Sequence, residues 1–161
     1  MPGTGSSGLG LPVSHVATLL PMASIFTRII DGELPGVFVW RDPECVAFLS
    51  INPMHPGHTL VVPRVEVDHW IDLEPTLAGH VFQVAQTIGR AQQAALSPRR
   101  IGVIIAGDEV PHVHLHVVPF DSVAELSFKH ADPDPPAGSL EAAAAKIRAA
   151  LTELGAEYVS E

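Results

Sequence analysis

The stretch VPHVHLHVVP, Val110 to Pro119, puts His112, His114 and His116 at alternate positions with Val113, Leu115 and Val117 interleaved. A strand turns successive side chains to opposite faces, so the three histidines share one face and the aliphatic residues the other. A helix would scatter them. Residues two apart on a strand lie about 6.6 Å apart at Cα, which lets three imidazoles converge on one small group. Each ring carries a donor and an acceptor that a core satisfies only at a cost, so such a row calls for a purpose. Clustered positive charges repel, which keeps at least one ring neutral near neutral pH, as a nucleophile or a metal ligand must be. Three readings stand open on spacing alone. One ring attacks phosphorus while its neighbours hold the anionic oxygens and protonate the leaving group. The row binds zinc or another divalent ion, with Asp108 or Glu109 as the extra ligand. Or it is a solvated strand face.

The segments on either side indicate what carries that row. Upstream of it, Ile101 to Ala106 is a short apolar run that reads as a strand pairing antiparallel with the histidine strand. Val37 to Arg41 and Cys45 to Ile51 flank the turn residues Asp42-Pro43-Glu44 as a hairpin, and Thr59 to Val62 is a further strand. Ser24 is placed to cap a short helix over Ile25 to Ile30. Asp72 is expected to cap the longest helix, with Pro75 in its first turn and Leu77, Val81, Val84, Ile88, Ala91 and Ala95 on one apolar face until Ser97-Pro98 stops it. After the linker Asp132 to Pro136, an alanine-rich helix from Ser139 carries the stripe Leu140, Ala144, Ile147, Leu151 and Leu154.

Composition narrows the function classes. The chain has 161 residues, 47% of them hydrophobic, enough for one domain with a substantial core. No apolar run reaches the roughly 20 residues a membrane helix needs, so no membrane partner is expected. A formal charge of −9 repels nucleic-acid backbones, and only Arg99-Arg100 hints at a basic patch. The single cysteine, Cys45, precludes an intramolecular disulfide, which agrees with a cytoplasmic location. Residues 1–21, rich in Gly, Ser and Pro, read as a flexible N-terminal extension, and Met22 is a candidate alternative start.

The seven residues His112-Val113-His114-Leu115-His116-Val117-Val118 resemble the signature of the histidine triad (HIT) family of nucleotide hydrolases and transferases, which is His-φ-His-φ-His-φ-φ with φ apolar. The likeness extends through Ser24 to Ile30, Val46-Ala47-Phe48 and Pro56-Gly57-His58-Thr59-Leu60-Val61-Val62-Pro63, about 100 residues in all, and is closest to small bacterial members of the nucleotide-binding branch. The resemblance implies an α+β, HIT-like fold: a five-stranded antiparallel sheet with a long helix and a short N-terminal helix, two copies joining into a ten-stranded sheet. It divides the chain into the extension 1–21, a HIT domain 22–130, and a Pro-rich linker with the C-terminal helix at 131–161.

By the same resemblance His114 is the nucleophile on the α-phosphorus of a purine nucleotide of AMP or GMP type. His112 and His116 bind phosphate oxygens and aid the leaving group, and His58 completes the site. Phe26, Ile29, Phe48 and Ile51 match the apolar positions around base and sugar. The family commonly places an aspartate after the second strand, where this chain has Ser50. The loop before the triad is short and acidic, Ala106-Gly107-Asp108-Glu109, and puts Glu109 beside the phosphate, where it repels the anion unless it pairs with a cationic histidine or faces solvent. Many relatives hold structural zinc partly through Cys-x-x-Cys. Here Ser24, Thr27 and Glu66 stand at three ligand positions, so neither structural zinc nor any cofactor is expected. A regulatory module that binds nucleotide without turnover is the rival from a different class.

Overall fold

The computed structural model describes residues 22–161, so the reading of residues 1–21 lies outside the described residues. Five strands, β1 (Phe38–Arg41), β2 (Cys45–Leu49), β3 (Thr59–Pro63), β4 (Arg100–Ile104) and β5 (Leu115–Phe120), form one antiparallel sheet in the order β1-β2-β3-β5-β4. Three α-helices accompany it, α1 (Ile25–Ile30), α2 (Pro75–Leu96) and α3 (Ser139–Glu153). The expected α+β fold with a five-stranded antiparallel sheet is therefore what the chain adopts.

Period-two alternation divides the sheet into two faces. Cys45, Ala47, Leu49, Val61, Leu115 and Val117 face the long helices, where Val81, Val84, Ile88, Ala91, Ala144, Ile147 and Leu151 complete the main core. Val46, Phe48, Leu60 and Val62 point the other way and pack with Phe26 of α1 and Phe38. His58 and His116 lie in phase with that second set, so the fold brings its imidazoles to the face that α1 covers.

The β1–β2 turn is held by the Asp42 carboxylate from within and by Arg64 Nε–H, which donates to Asp42 O at 2.7 Å. Asp42 Oδ1 accepts from the backbone N–H groups of Glu44 and Cys45, each at 2.7 Å. At the end of α2, Ser97 takes a left-handed conformation, φ 51°, before Pro98, which disfavours continuing the helix.

Several boundaries differ from those read in the sequence. The cap of α2 is Glu74, whose carboxylate accepts from Leu77 N–H, because Pro75 occupies the first helical position and Asp72 closes a preceding 3₁₀ turn, Trp70–Asp72. β2 ends at Leu49 and β4 at Ile104. Leu154 is the C-cap of α3 and is exposed rather than part of its buried stripe. That helix packs on α2 and β1 of its own chain. Beyond it the terminal residues return to the sheet, with Arg41 N–H bonded to Tyr158 O at 3.0 Å and Ser160 N–H to Val39 O at 3.1 Å.

Candidate active site

The histidine row begins before its strand. β5 starts at Leu115, so His112 and His114 lie on the extended approach to it, anchored by the bond from Val113 N–H to Val67 O at 2.8 Å. His116 is within the strand, opposite Leu60 of β3. His58 stands one residue before β3, at the end of a loop that Gly57 turns with φ +89°. Gln92 of α2 reaches under the sheet to bond both Gly57 O at 2.9 Å and Val117 O at 3.0 Å, tying that loop to β5.

The hydrogen bonds fix which ring nitrogen carries each proton. Met54 N–H donates to His58 Nδ1 at 3.1 Å, so His58 holds its proton on Nε2 and gives it to His116 Nδ1 at 2.9 Å. His116 is left with Nε2–H as a free donor. His114 Nδ1 faces the carbonyl oxygen of His112 at 2.7 Å, an acceptor only, so the proton is on Nδ1 and the Nε2 lone pair is unengaged. The His114 and His116 rings meet edge to face with centroids 4.8 Å apart, and His58 and His116 are 5.2 Å apart.

Burial keeps these rings neutral. It pushes His58 down to about 4, with the neighbouring His114 charge adding to the effect, and His116 down to about 3, with His114 and His58 adding theirs. His114 is also lowered by burial, against which its bond to the His112 carbonyl and the charge of Glu109 act in the opposite sense. Glu109 is itself exposed. Little ring surface remains, since His114 is 6% and His116 7% exposed. Phe26 closes one side at 4.8 Å from the His114 ring and Phe128 the other at 5.0 Å from His116.

His112 is placed differently from its two neighbours. It is fully buried, and both ring nitrogens are engaged. Nε2–H donates to Pro63 O at 2.7 Å, and Nδ1 accepts from the Ser24 hydroxyl at 2.7 Å. Around it the Thr27 hydroxyl donates to Glu66 Oε2 at 2.6 Å, and Ser24 N–H donates to the same oxygen at 3.0 Å. Those bonds hold the Glu66 carboxyl below the usual carboxylate range. The donor set does not suit structural zinc, because it offers two neutral hydroxyls, one exposed carboxylate and one imidazole, already bonded to one another. What His112 contributes to the site is its main-chain carbonyl, which orients His114.

Among the apolar positions, Phe26 and Phe48 are buried and meet edge to face at 5.7 Å, and Ile29 packs beside them. Ser50 is half-buried, its hydroxyl accepting from Asn52 N–H at 3.3 Å. Ile51 lies beyond the end of β2 and is 71% exposed. The sequence marked Ser24 as a helix cap and Ser24 and Thr27 as standing where relatives hold zinc, but it pointed neither to Phe128 nor to the two hydroxyls as a brace for His112. For the hydroxyls a signal existed, since a cap residue three positions before a second hydroxyl is common, but nothing in the sequence placed them against His112.

This sheet, with a histidine row entering its fourth position, is that of a known family. The family description "HIT domain" matches residues 31–123. The chain is 35% identical over 99 residues to an uncharacterized HIT-like protein of Methanocaldococcus jannaschii, covering 59% of this chain and 77% of that one. An adenylylsulfatase of Arabidopsis thaliana is 26% identical over 121 residues, 72% of this chain and 60% of that one. The crystal structure of a zinc-bound histidine triad family protein from Mycobacterium smegmatis superposes with a TM-score of 0.71 at 31% identity, covering 81% of this chain and 94% of that one. The protein belongs to the HIT family. No helix among the described residues is long and apolar enough to cross a membrane.

Proposed function

We propose that the protein is a nucleotide-binding hydrolase or transferase acting at the α-phosphate of a purine nucleoside phosphoramidate, phosphoanhydride or dinucleotide, with a transient nucleotidyl group on His114. The observation that carries this reading is the pinned tautomer of His114, whose Nδ1–H is held on the His112 carbonyl while Nε2 keeps a free lone pair. The Nε2 lone pair forms the bond to phosphorus as the leaving group departs with its bonding pair and takes up a proton from solvent. The positive charge that this creates on the ring is met by the His112 carbonyl oxygen. His116 Nε2–H hydrogen-bonds a phosphate oxygen. Water then attacks phosphorus and releases a proton to solvent, replacing the one the leaving group took up, and the N–P pair returns to His114.

His58 acts through His116 as a positioning residue. Phe26, Ile29 and Phe48 supply an apolar wall for the base, with Ser50 and the exposed Ile51 at its outer end and Glu109 near the phosphate side. The Arabidopsis relative's name, adenylylsulfatase, favours an adenylyl group among the purines. A second copy is the expected partner: β4 is an outer strand with an open edge, and Val103 on it and Phe82 on α2 are exposed at 42% and 56%.

The test is His114→Ala assayed against a panel of nucleoside phosphoramidates and dinucleotides, beside calorimetric binding of AMP and GMP. Turnover by the natural chain that vanishes in the variant while nucleotide binding remains supports the proposal. Binding without turnover across the panel would make the chain a regulatory nucleotide-binding module, and unchanged turnover in the variant would remove His114 from the nucleophile's role.

A further inference from the structure

On the opposite face of the sheet from the triad, where β2 begins beneath α2, three side chains of metal-ligating type converge. The donor atoms of Asp42, Cys45 and His80 all lie within 4.8 Å of one another. Asp42 Oδ2 is 2.8 Å from His80 Nε2 and 3.4 Å from Cys45 Sγ. Asp42 and Cys45 are buried, at 3% and 0% exposure, while the His80 side chain is 29% exposed and opens the cluster to solvent. We propose that Asp42, Cys45 and His80 form a binding site for a divalent first-row transition ion of zinc type. The site is separate from the triad and independent of the function proposed above, and it departs from the metal-free expectation drawn from the sequence.

The donor set and its surroundings both fit. A thiolate, an imidazole and a carboxylate are the ligands zinc favours, and a tetrahedron with arms of about 2.0–2.3 Å has edges of about 3.3–3.8 Å. The sulfur–oxygen separation already falls in that range, and the nitrogen–oxygen separation needs to widen by about 0.5 Å. Ligating carboxylates and imidazoles are normally oriented by outer partners, and those partners are present. Asp42 Oδ1 is fixed by two backbone N–H groups, and Oδ2 also accepts from Trp40 Nε1 at 2.8 Å. Glu44 Oε2 lies 3.6 Å from His80 Nδ1, on the side of the ring away from the ion. Burial pushes the Asp42 carboxyl up, but the donors from Trp40, Cys45, Glu44 and His80 outweigh it and bring it down to about 2, so this ligand is already ionised.

Proton bookkeeping closes. Cys45 gives up its S–H proton to solvent, and the His80 proton moves from Nε2 to Nδ1, where Glu44 accepts it. One proton is released per ion, and the thiolate with the Asp42 carboxylate neutralises the dication. Burial and the Asp42 charge raise the free thiol far above its ordinary range, so the metal must supply the energy of deprotonation and affinity rises with pH. Water takes the fourth position on the side that His80 leaves open.

Because Cys45 is the sole cysteine, one spectroscopic probe reads this site alone. The chelator-treated, reduced, untagged full chain is titrated with Co²⁺. The expected result is a near-ultraviolet thiolate-to-cobalt charge-transfer band with tetrahedral visible bands, saturating at one equivalent and displaced by Zn²⁺. Cobalt on the triad gives no such band. His80→Gln, at a partly exposed helix position, is expected to keep the circular dichroism of the natural chain and lose the band. Glu44→Gln weakens Co²⁺ binding about tenfold, the lower end for an outer-shell partner. No charge-transfer band at a hundredfold excess of Co²⁺, or a band unchanged in folded His80→Gln, would overturn the proposal.

Discussion

Removing one hydroxyl, that of Ser24, reports on the brace behind the candidate nucleophile. Ser24 Oγ does two jobs: it accepts from Thr27 N–H at 3.1 Å as the cap of α1, and it donates to His112 Nδ1 at 2.7 Å. Losing a serine cap costs about 1 kcal/mol. Leaving the buried Nδ1 without a donor costs about 1–3 kcal/mol more. The Thr27 hydroxyl, 3.4 Å from the same nitrogen, can swing in to recover part of this at the expense of its bond to Glu66. Ser24→Ala is therefore expected to destabilise the chain by about 2 kcal/mol, which for a domain of this size lowers Tm by about 4–8 °C. Urea unfolding followed by circular dichroism reads the shift in midpoint at unchanged m. Because the His112 carbonyl orients His114, kcat should fall as well. A stability loss under about 0.5 kcal/mol, the scatter of ordinary surface substitutions, would refute the reasoning that the serine satisfies His112.

Three other outcomes follow from the same contacts. Folding depresses His58 to about 4 and His116 to about 3, below the 6.5 of a free imidazole, so their stabilisation is complete above pH 6.5 and drains away as pH falls toward 4 and then 3. Unfolding free energies from urea titrations should fall with a slope of about 1.4 kcal/mol per pH unit for each such ring, and free energies flat down to pH 4 would contradict a neutral pair. His58→Gln retains an N–H donor for His116 whereas His58→Leu does not, so kcat should drop about tenfold in the first and about a hundredfold in the second, with KM little changed. Gly57→Ala forces a side chain at φ +89° and into Leu96, so a loss of about 1–3 kcal/mol in thermal melts should accompany reduced turnover.

The sequence carried the fold where a local signal had a physical cause. The apolar runs Cys45 to Leu49 and Thr59 to Val62, the turn residues Asp42-Pro43-Glu44 and the Ser24 cap each correspond to an observed element. Asp72 was misread because two acidic residues precede Pro75 and only the second stands next to the first helical position, which proline at N1 would have indicated. The histidine row was legible as chemistry but not as geometry. Alternation alone implies three equivalent rings, yet Pro63 and Ser24 hold His112 in the interior, contacts that link residues 49 and 88 positions apart in the chain. The Asp42–Cys45–His80 cluster was invisible for the same reason, since His80 lies 38 positions from Asp42 and joins it only when α2 packs across the sheet. Return of Tyr158 to Ser160 to β1 likewise depends on where α3 ends in space.

The central claim, that His114 Nε2 is the attacking atom, is tested most directly by rapid quench of turnover with a radiolabelled nucleoside phosphoramidate under alkaline conditions, followed by proteolysis and mass spectrometry. The account predicts a nucleotidyl adduct, stable to alkali and labile to acid, on the imidazole of His114, and none in His114→Ala. An adduct on another residue, or turnover with no adduct at substoichiometric sensitivity, would contradict it.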